Sequence, residues 1–175
     1  QARVLMLTRR SFVRQGAQME GVAADRLRDV KSRLAVLGTQ FTQNLLADER
    51  DWHMTLSEGD LEGLPSFVVD AARAAGEEGG HGGPVVTLSR SLIVPFLQFS
   101  PRRDLREKAY HAWTARGMNG GATDNRAIAA ETLALRAERA NLLGYDSFAE
   151  YKLETEMAGT PDAVRDLMMQ VWTPA

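Results

Sequence analysis

"ADRLRDVKSRLAVLGTQFTQNLLADE", residues 24–49, carries Leu27, Val30, Leu34, Leu37, Phe41 and Leu45 three or four positions apart throughout. That spacing places all six side chains on one face of an α-helix, so the stretch predicts a single long helix over residues 20–49. Gly38 interrupts it at a cost of about 1 kcal/mol relative to Ala, which a stripe of this length outweighs once buried. The stripe is shorter than the three to four heptads that mark a coiled coil, so it reads as core packing.

Past this helix the period changes. "WHMTLS" alternates bulky and polar residues, as a strand does, and "SFVVDAARAA" resumes a short helix that Gly76 is expected to close. "PVVTLSRSLIVPFLQFS" is rich in Val, Ile, Phe and Thr and predicts two strands, with Pro95 placing the second at a sheet edge or bulge. Ser100 and Pro101 predict the N-cap and first turn of a helix that turns Leu105, Ala109, Ala112 and Trp113 inward and ends by Gly117. A helix over 124–143 carries Ile128, Leu135 and Leu142 and stops at Gly144. Ser147 and Glu150 have capping-box spacing, and "TPD" at 160–162 opens a last helix with Val164, Leu167, Met168 and Val171 on one face. The expected fold class is mainly α, a helical domain with a small inserted β-sheet.

Composition narrows the function. A chain of 175 residues, 44% hydrophobic, is long enough for one domain with a substantial core. A net charge of −2 gives no reason to expect a nucleic-acid partner. No apolar run approaches the roughly 20 residues that span a bilayer, no signal peptide is recognisable, and without cysteine the chain suits a reducing compartment; a cytoplasmic location with no membrane partner is expected. The chain starts at Gln1 rather than Met and stops at "VWTPA" behind an apolar helical face, so it is expected to be a piece of something longer, with self-association through the uncovered face.

Candidate chemistry is sparse. "DERDWHMT", residues 48–55, sets Glu49, Asp51 and His53 at alternate positions. Asp51 and His53 share a face only in a strand, whereas Glu49 needs the helix to continue, so no one geometry aims all three at a metal. The stretch reads as a helix-to-strand boundary. His-Glu-x-x-His is absent, and the three histidines, His53, His81 and His111, have no ligand spacing. "GEEGGHGGP" follows a helix and enters a strand, the reverse of a phosphate cradle, so it reads as a flexible connection with His81 solvated in it. Arg102, Arg103, Arg106 and Lys108 alternate with Asp104 and Glu107 as a solvated helical face does, and His111, beside Ala112 and Trp113, is expected to be partly packed and hydrogen-bonded. No catalytic, cofactor-binding or metal-binding residue is assigned.

Four blocks of the chain nevertheless carry a resemblance: "LGTQFTQNLLADERDWHMTLSEGDLEGLP", "VTLSRSLIVPFLQFSPRRDLREKAYHAWTARG", "DNRAIAAETLALRAERANLLGYDSFAEYKLETEMAGTPDAV" and "VWTPA". In order and spacing, from about Ala23 onward, they resemble the thimet-oligopeptidase-type zinc metallopeptidases, and within them the bacterial peptidyl-dipeptidase, or dipeptidyl carboxypeptidase, branch. The resemblance implies a larger, two-lobed, mostly helical enzyme whose lobes flank a deep channel. Its zinc, held by a His-Glu-x-x-His helix and a later glutamate, polarises the scissile carbonyl and activates water, and the motif glutamate moves the proton.

This chain resembles the N-terminal to middle region before that helix, residues 1–175 forming one helical segment, so the zinc ligands and general base have no matching positions in it. The resemblance thus implies that zinc belongs to the full-length protein and none to this chain, that the substrates are short peptides losing C-terminal dipeptides, and that this piece, inactive alone, helps wall the channel. An endo-acting oligopeptidase of the same family and a non-enzymatic helical interaction module are the alternatives.

Overall fold

The computed structural model describes residues 1–174. Among the described residues, eight α-helices and two short strands succeed one another: α1 Ala2–Arg14, α2 Gly21–Asp51, β1 His53–Thr55, α3 Ser66–Glu78, β2 Val85–Thr87, α4 Arg90–Phe99, α5 Arg103–Thr114, α6 Arg126–Leu142, α7 Phe148–Leu153 and α8 Pro161–Trp172, with a 3-10 turn at Glu58–Leu61. The mainly helical class and the single small sheet agree with the sequence reading, and α2 runs unbroken through Gly38. Helix α1 went unread.

The chain forms two compact units, one of Thr39–Ala127 and one of Gln1–Gly38 with the chain from Ile128. In the Thr39–Ala127 unit, β1 and β2 pair antiparallel with His53 opposite Thr87, Met54 opposite Val86 and Thr55 opposite Val85. Val86 and Leu88 join Leu56, Leu61, Val68, Ala72, Leu92, Ile93, Phe96, Leu105 and Ala109 in one apolar core, against which Trp52 and Trp113 pack.

Residues 90–99 correct the expected second strand. Leu92, Ile93 and Phe96 are the buried side chains of α4, a spacing of one, three and four that only a helix turns to one side. Pro95 sits inside that helix and removes one backbone donor, a local cost that burial of its neighbours overrides. The next helix starts later than expected: its N-cap is Arg102, while Ser100 is buried as the C-cap residue of α4. Gly76 likewise does not close α3 but lies inside it, buried. The closure comes at the C-cap Gly79, after which Gly80 adopts φ +67° and the His81 and Gly80 N–H groups reach the Gly76 and Glu77 carbonyls at 2.9 and 3.1 Å.

In the other unit, the residues of α2 before Gly38 pack against α6. Leu27, Val30, Leu37, Ile128 and Ala140 are buried. Two fork-like ion pairs border them, Arg26 on Glu138 at 2.5 and 2.8 Å and Arg33 on Glu131 at 2.6 and 2.8 Å, seven residues apart on each helix and running antiparallel. The donated hydrogen bonds hold both carboxyls below their ordinary values. Arg14, at the end of α1, donates to Glu154, to the Tyr151 carbonyl and to the Tyr145 hydroxyl, and its guanidinium lies 4.4 Å from the Tyr151 ring centre. Ser147 and Thr160 cap α7 and α8 by accepting from the Glu150 and Ala163 N–H groups at 3.1 and 3.2 Å. Along α8, Val164 is half-buried while Leu167, Met168, Val171 and Trp172 are exposed.

Candidate functional site

Glu49 and Asp51 occupy the last turn of α2, and His53 opens β1, so the boundary expected at "DERDWHMT" is where the helix gives way to strand. The three side chains diverge. Glu49 accepts from the Arg116 guanidinium, Arg50 Nε donates to Asp51 at 2.8 Å, and the His53 ring stacks on His81 with centroids 3.8 Å apart. The Arg50 hydrogen bond lowers the Asp51 pKa. Zinc, the metal that the resemblance implies, needs about three protein ligands converging within about 2.0–2.3 Å, and two carboxylates turned to arginines plus a stacked imidazole do not fit it. Among the described residues, no group of three or more His, Asp or Glu side chains is placed to hold a metal ion.

His81 is exposed, as expected of the loop, but it is stacked rather than merely solvated. His111 departs from expectation: its side chain is 72% exposed, and its nearest charged partner is Glu107 at 3.9 Å, beyond a hydrogen bond.

The structure organises a second region that the sequence did not single out, the loop between α5 and α6. Asp48 Oδ2 accepts from the Gly117 N–H at 2.7 Å and from Asn119 Nδ2 at 2.8 Å, and its Oδ1 accepts from Thr123 Oγ1 at 2.5 Å. Asn125, almost fully buried, completes the clamp: its amide donates to the Phe41 carbonyl at 3.0 Å and accepts from Asn44 Nδ2 at 2.9 Å. Asp124 accepts from the Arg126 side chain, from the Arg126 N–H at 2.9 Å and from the Gly120 N–H at 2.9 Å, and these bonds depress its pKa strongly. Every one of these groups is used up in holding the loop, which suits a structural element better than a reactive one. The turn-forming run "GMNGGATDN" was its one visible signal, but its anchor, Asp48, lies some seventy positions away in sequence.

An open groove of 410 Å³ beside α5 is lined by Leu97, Arg103, Arg106, Glu107, Tyr110 and His111. Here the basic run divides. Arg102 is bound by Asp60 and by Asp104, the latter at 2.8 Å, and Arg106 donates to the Ser100 carbonyl. Arg103 has no ion pair among the described residues.

Comparison with known proteins gives the region its context. The model of peptidase family M3 matches residues 96–174, from α4 through α8. Residues 96–174 thus carry the mark of peptidase family M3. The M3 relatives include oligopeptidase A of Haemophilus influenzae, 33% identical over 91% of this chain and 24% of its own length. Dipeptidyl carboxypeptidase of Salmonella typhimurium is 31% identical over 99% of this chain and 26% of its own, and a probable cytosolic oligopeptidase A of Arabidopsis thaliana 30% identical over 93% and 25%. The likeness to the thimet-oligopeptidase type therefore holds, and this chain is similar to both the oligopeptidase A and the dipeptidyl carboxypeptidase relatives. It spans about a quarter of the length of these curated relatives. No helix among the described residues is long and apolar enough to cross a membrane.

Proposed function

We propose that this chain is one segment, from the N-terminal to middle region, of a zinc metallopeptidase that cleaves short peptides and releases C-terminal dipeptides in the cytoplasm. In this reading residues 1–175 form part of the helical wall of the substrate channel and supply no zinc ligand, general base or other catalytic residue. The observation that carries it is the colinear similarity of nearly the whole chain to about a quarter of peptidases named oligopeptidase A and dipeptidyl carboxypeptidase. The Arabidopsis relative, a probable cytosolic oligopeptidase A, supports the cytoplasmic assignment. A wall segment also accounts for a chain whose polar clusters are spent on loop anchoring and whose α8 face, from Leu167 to Trp172, is exposed. That face is the surface through which the isolated chain self-associates.

The test is a longer protein containing this segment, assayed for bound zinc and for hydrolysis of a quenched peptide carrying either a free or an amidated C-terminus. Zinc-dependent release of dipeptides from the free-carboxylate peptide alone supports the reading. Internal cleavage of both peptides at equal rates favours the second reading, an endo-acting oligopeptidase, for which the similarity to oligopeptidase A speaks. A zinc-loaded protein that cleaves neither refutes the peptidase assignment.

A further inference from the structure

We propose that the groove beside α5 is a binding site for a peptide's C-terminal residue, with Arg103 and Arg106 holding the terminal carboxylate and Leu97 taking the apolar side chain. The proposal rests on the reading of short peptides as substrates.

The lining is set by helical spacing. Arg103, Arg106, Glu107 and Tyr110 stand at positions one, four, five and eight of one stretch of α5, so they project along a single face toward Leu97 of α4. The groove's 410 Å³ lies within the range of small-molecule sites, about 300–1,000 Å³. Two features separate this from an ordinary solvated helix face. Arg106 is half-buried and its guanidinium is tied to the carbonyl of buried Ser100, which fixes the head and leaves its other N–H groups for a ligand. Arg103, three residues earlier, has no ion pair among the described residues, although its neighbour Arg102 is claimed by Asp60 and Asp104. Two planar guanidiniums match a carboxylate, because each can present paired N–H donors to its two oxygens.

Glu107 sharpens the choice of ligand. Two arginines against one glutamate leave a single net positive charge among these three side chains, which suits a carboxylate monoanion over a phosphate dianion. Glu107 is also free to accept an amide N–H from the bound peptide. Leu97 and the half-exposed Tyr110 ring supply the apolar contact that a simple inorganic anion does not use.

The experiment is a two-dimensional NMR titration of the whole 175-residue chain with acetyl-Ala-Leu and with its C-terminal amide, and separately with inorganic phosphate. Expected are saturable shifts at residues 103–111 with the carboxylate peptide, at least about tenfold weaker binding of the amide, and a similar loss in Arg103→Ala, whose fold is checked in the same spectra. Arg102→Ala, altering a side chain outside the groove, should bind as the parent does, and Glu107→Gln should bind more tightly. Equal shifts from peptide and amide, phosphate binding as tight as the peptide's, or shifts unchanged by Arg103→Ala would each overturn the proposal. The titration involves no catalysis, so a longer protein that hydrolyses peptides while this chain binds none removes the groove and leaves the peptidase reading standing. Carboxylate binding by a chain whose longer form lacks activity does the reverse.

Discussion

Two glycines in helix interiors should respond to the same substitution with opposite signs. Replacing Gly by Ala within a helix gains roughly 1 kcal/mol from backbone entropy and propensity when the added methyl group meets open space. Gly38 in α2 offers that space, with no atom beyond its chain neighbours and the local helix backbone within 4 Å of where its Cβ would stand. Gly76 in α3 does not: its Cβ would lie 1.9 Å from the Gly83 carbonyl oxygen and 2.8 Å from the Gly83 carbonyl carbon. Ordinary C···O contact is about 3.3–3.6 Å, so the strand-bound segment 83–84 or the end of α3 must shift by about 1.4 Å. Both sides of the clash are backbone, and the 81–76 hydrogen bond and the Leu56 to Pro84 bond tie them in place. Overpacking of this kind costs about 1–3 kcal/mol, which exceeds the propensity gain. Gly76→Ala should therefore lower the urea midpoint by an amount equivalent to up to about 2 kcal/mol, and Gly38→Ala should raise it by the equivalent of about 0.5–1 kcal/mol. Tryptophan fluorescence reports the first change well, since Trp52 and Trp113 pack against the core that α3 helps build. A Gly76→Ala protein as stable as Gly38→Ala would refute the close approach of residues 76 and 83.

Phe96, fully buried in the same core, should cost about 3–5 kcal/mol on truncation to Ala, read as a loss of cooperative denaturant unfolding in the Trp52 and Trp113 signal. Asn125→Ala should cost about 1–3 kcal/mol, because it strips the Phe41 carbonyl and the Asn44 amide of their partner, and should speed amide exchange at Gly117. Asp124 has a depressed folded pKa, so its contribution is complete above its ordinary value of 3.8 and drains away as pH falls further. Asp124→Asn should then be less stable than the parent at pH 7, with the difference closing in acid below about pH 4; a constant difference down to pH 2 would contradict this.

The sequence by itself determined whatever depends on neighbours along the chain. The stripe from Leu27 to Leu45 gave α2, Gly144 stopped α6, Thr160 and Pro161 opened α8, and the short β1 was visible in the change of period after Trp52. It also determined that Glu49, Asp51 and His53 straddle a boundary, since strand and helix periods cannot both be satisfied there.

Tertiary structure decided the rest, because the deciding contacts join residues far apart in sequence. β-branched residues and Pro95 made 90–99 look extended, but Leu92, Ile93 and Phe96 find their apolar partners only on a helical face, and that burial outweighs propensity. Gly76 looked like a helix stop; its role as the gap under Gly83 exists only once the loop folds back. Asp48 and the 117–125 loop, and His53 with His81, are brought together by chain closure, to which local spacing is blind. The basic run shows the division in one helix: its four charges were legible, whereas the hold of Asp60 on Arg102, with no ion pair at Arg103 among the described residues, depends on a carboxylate forty-two residues away, and only packing could place it there.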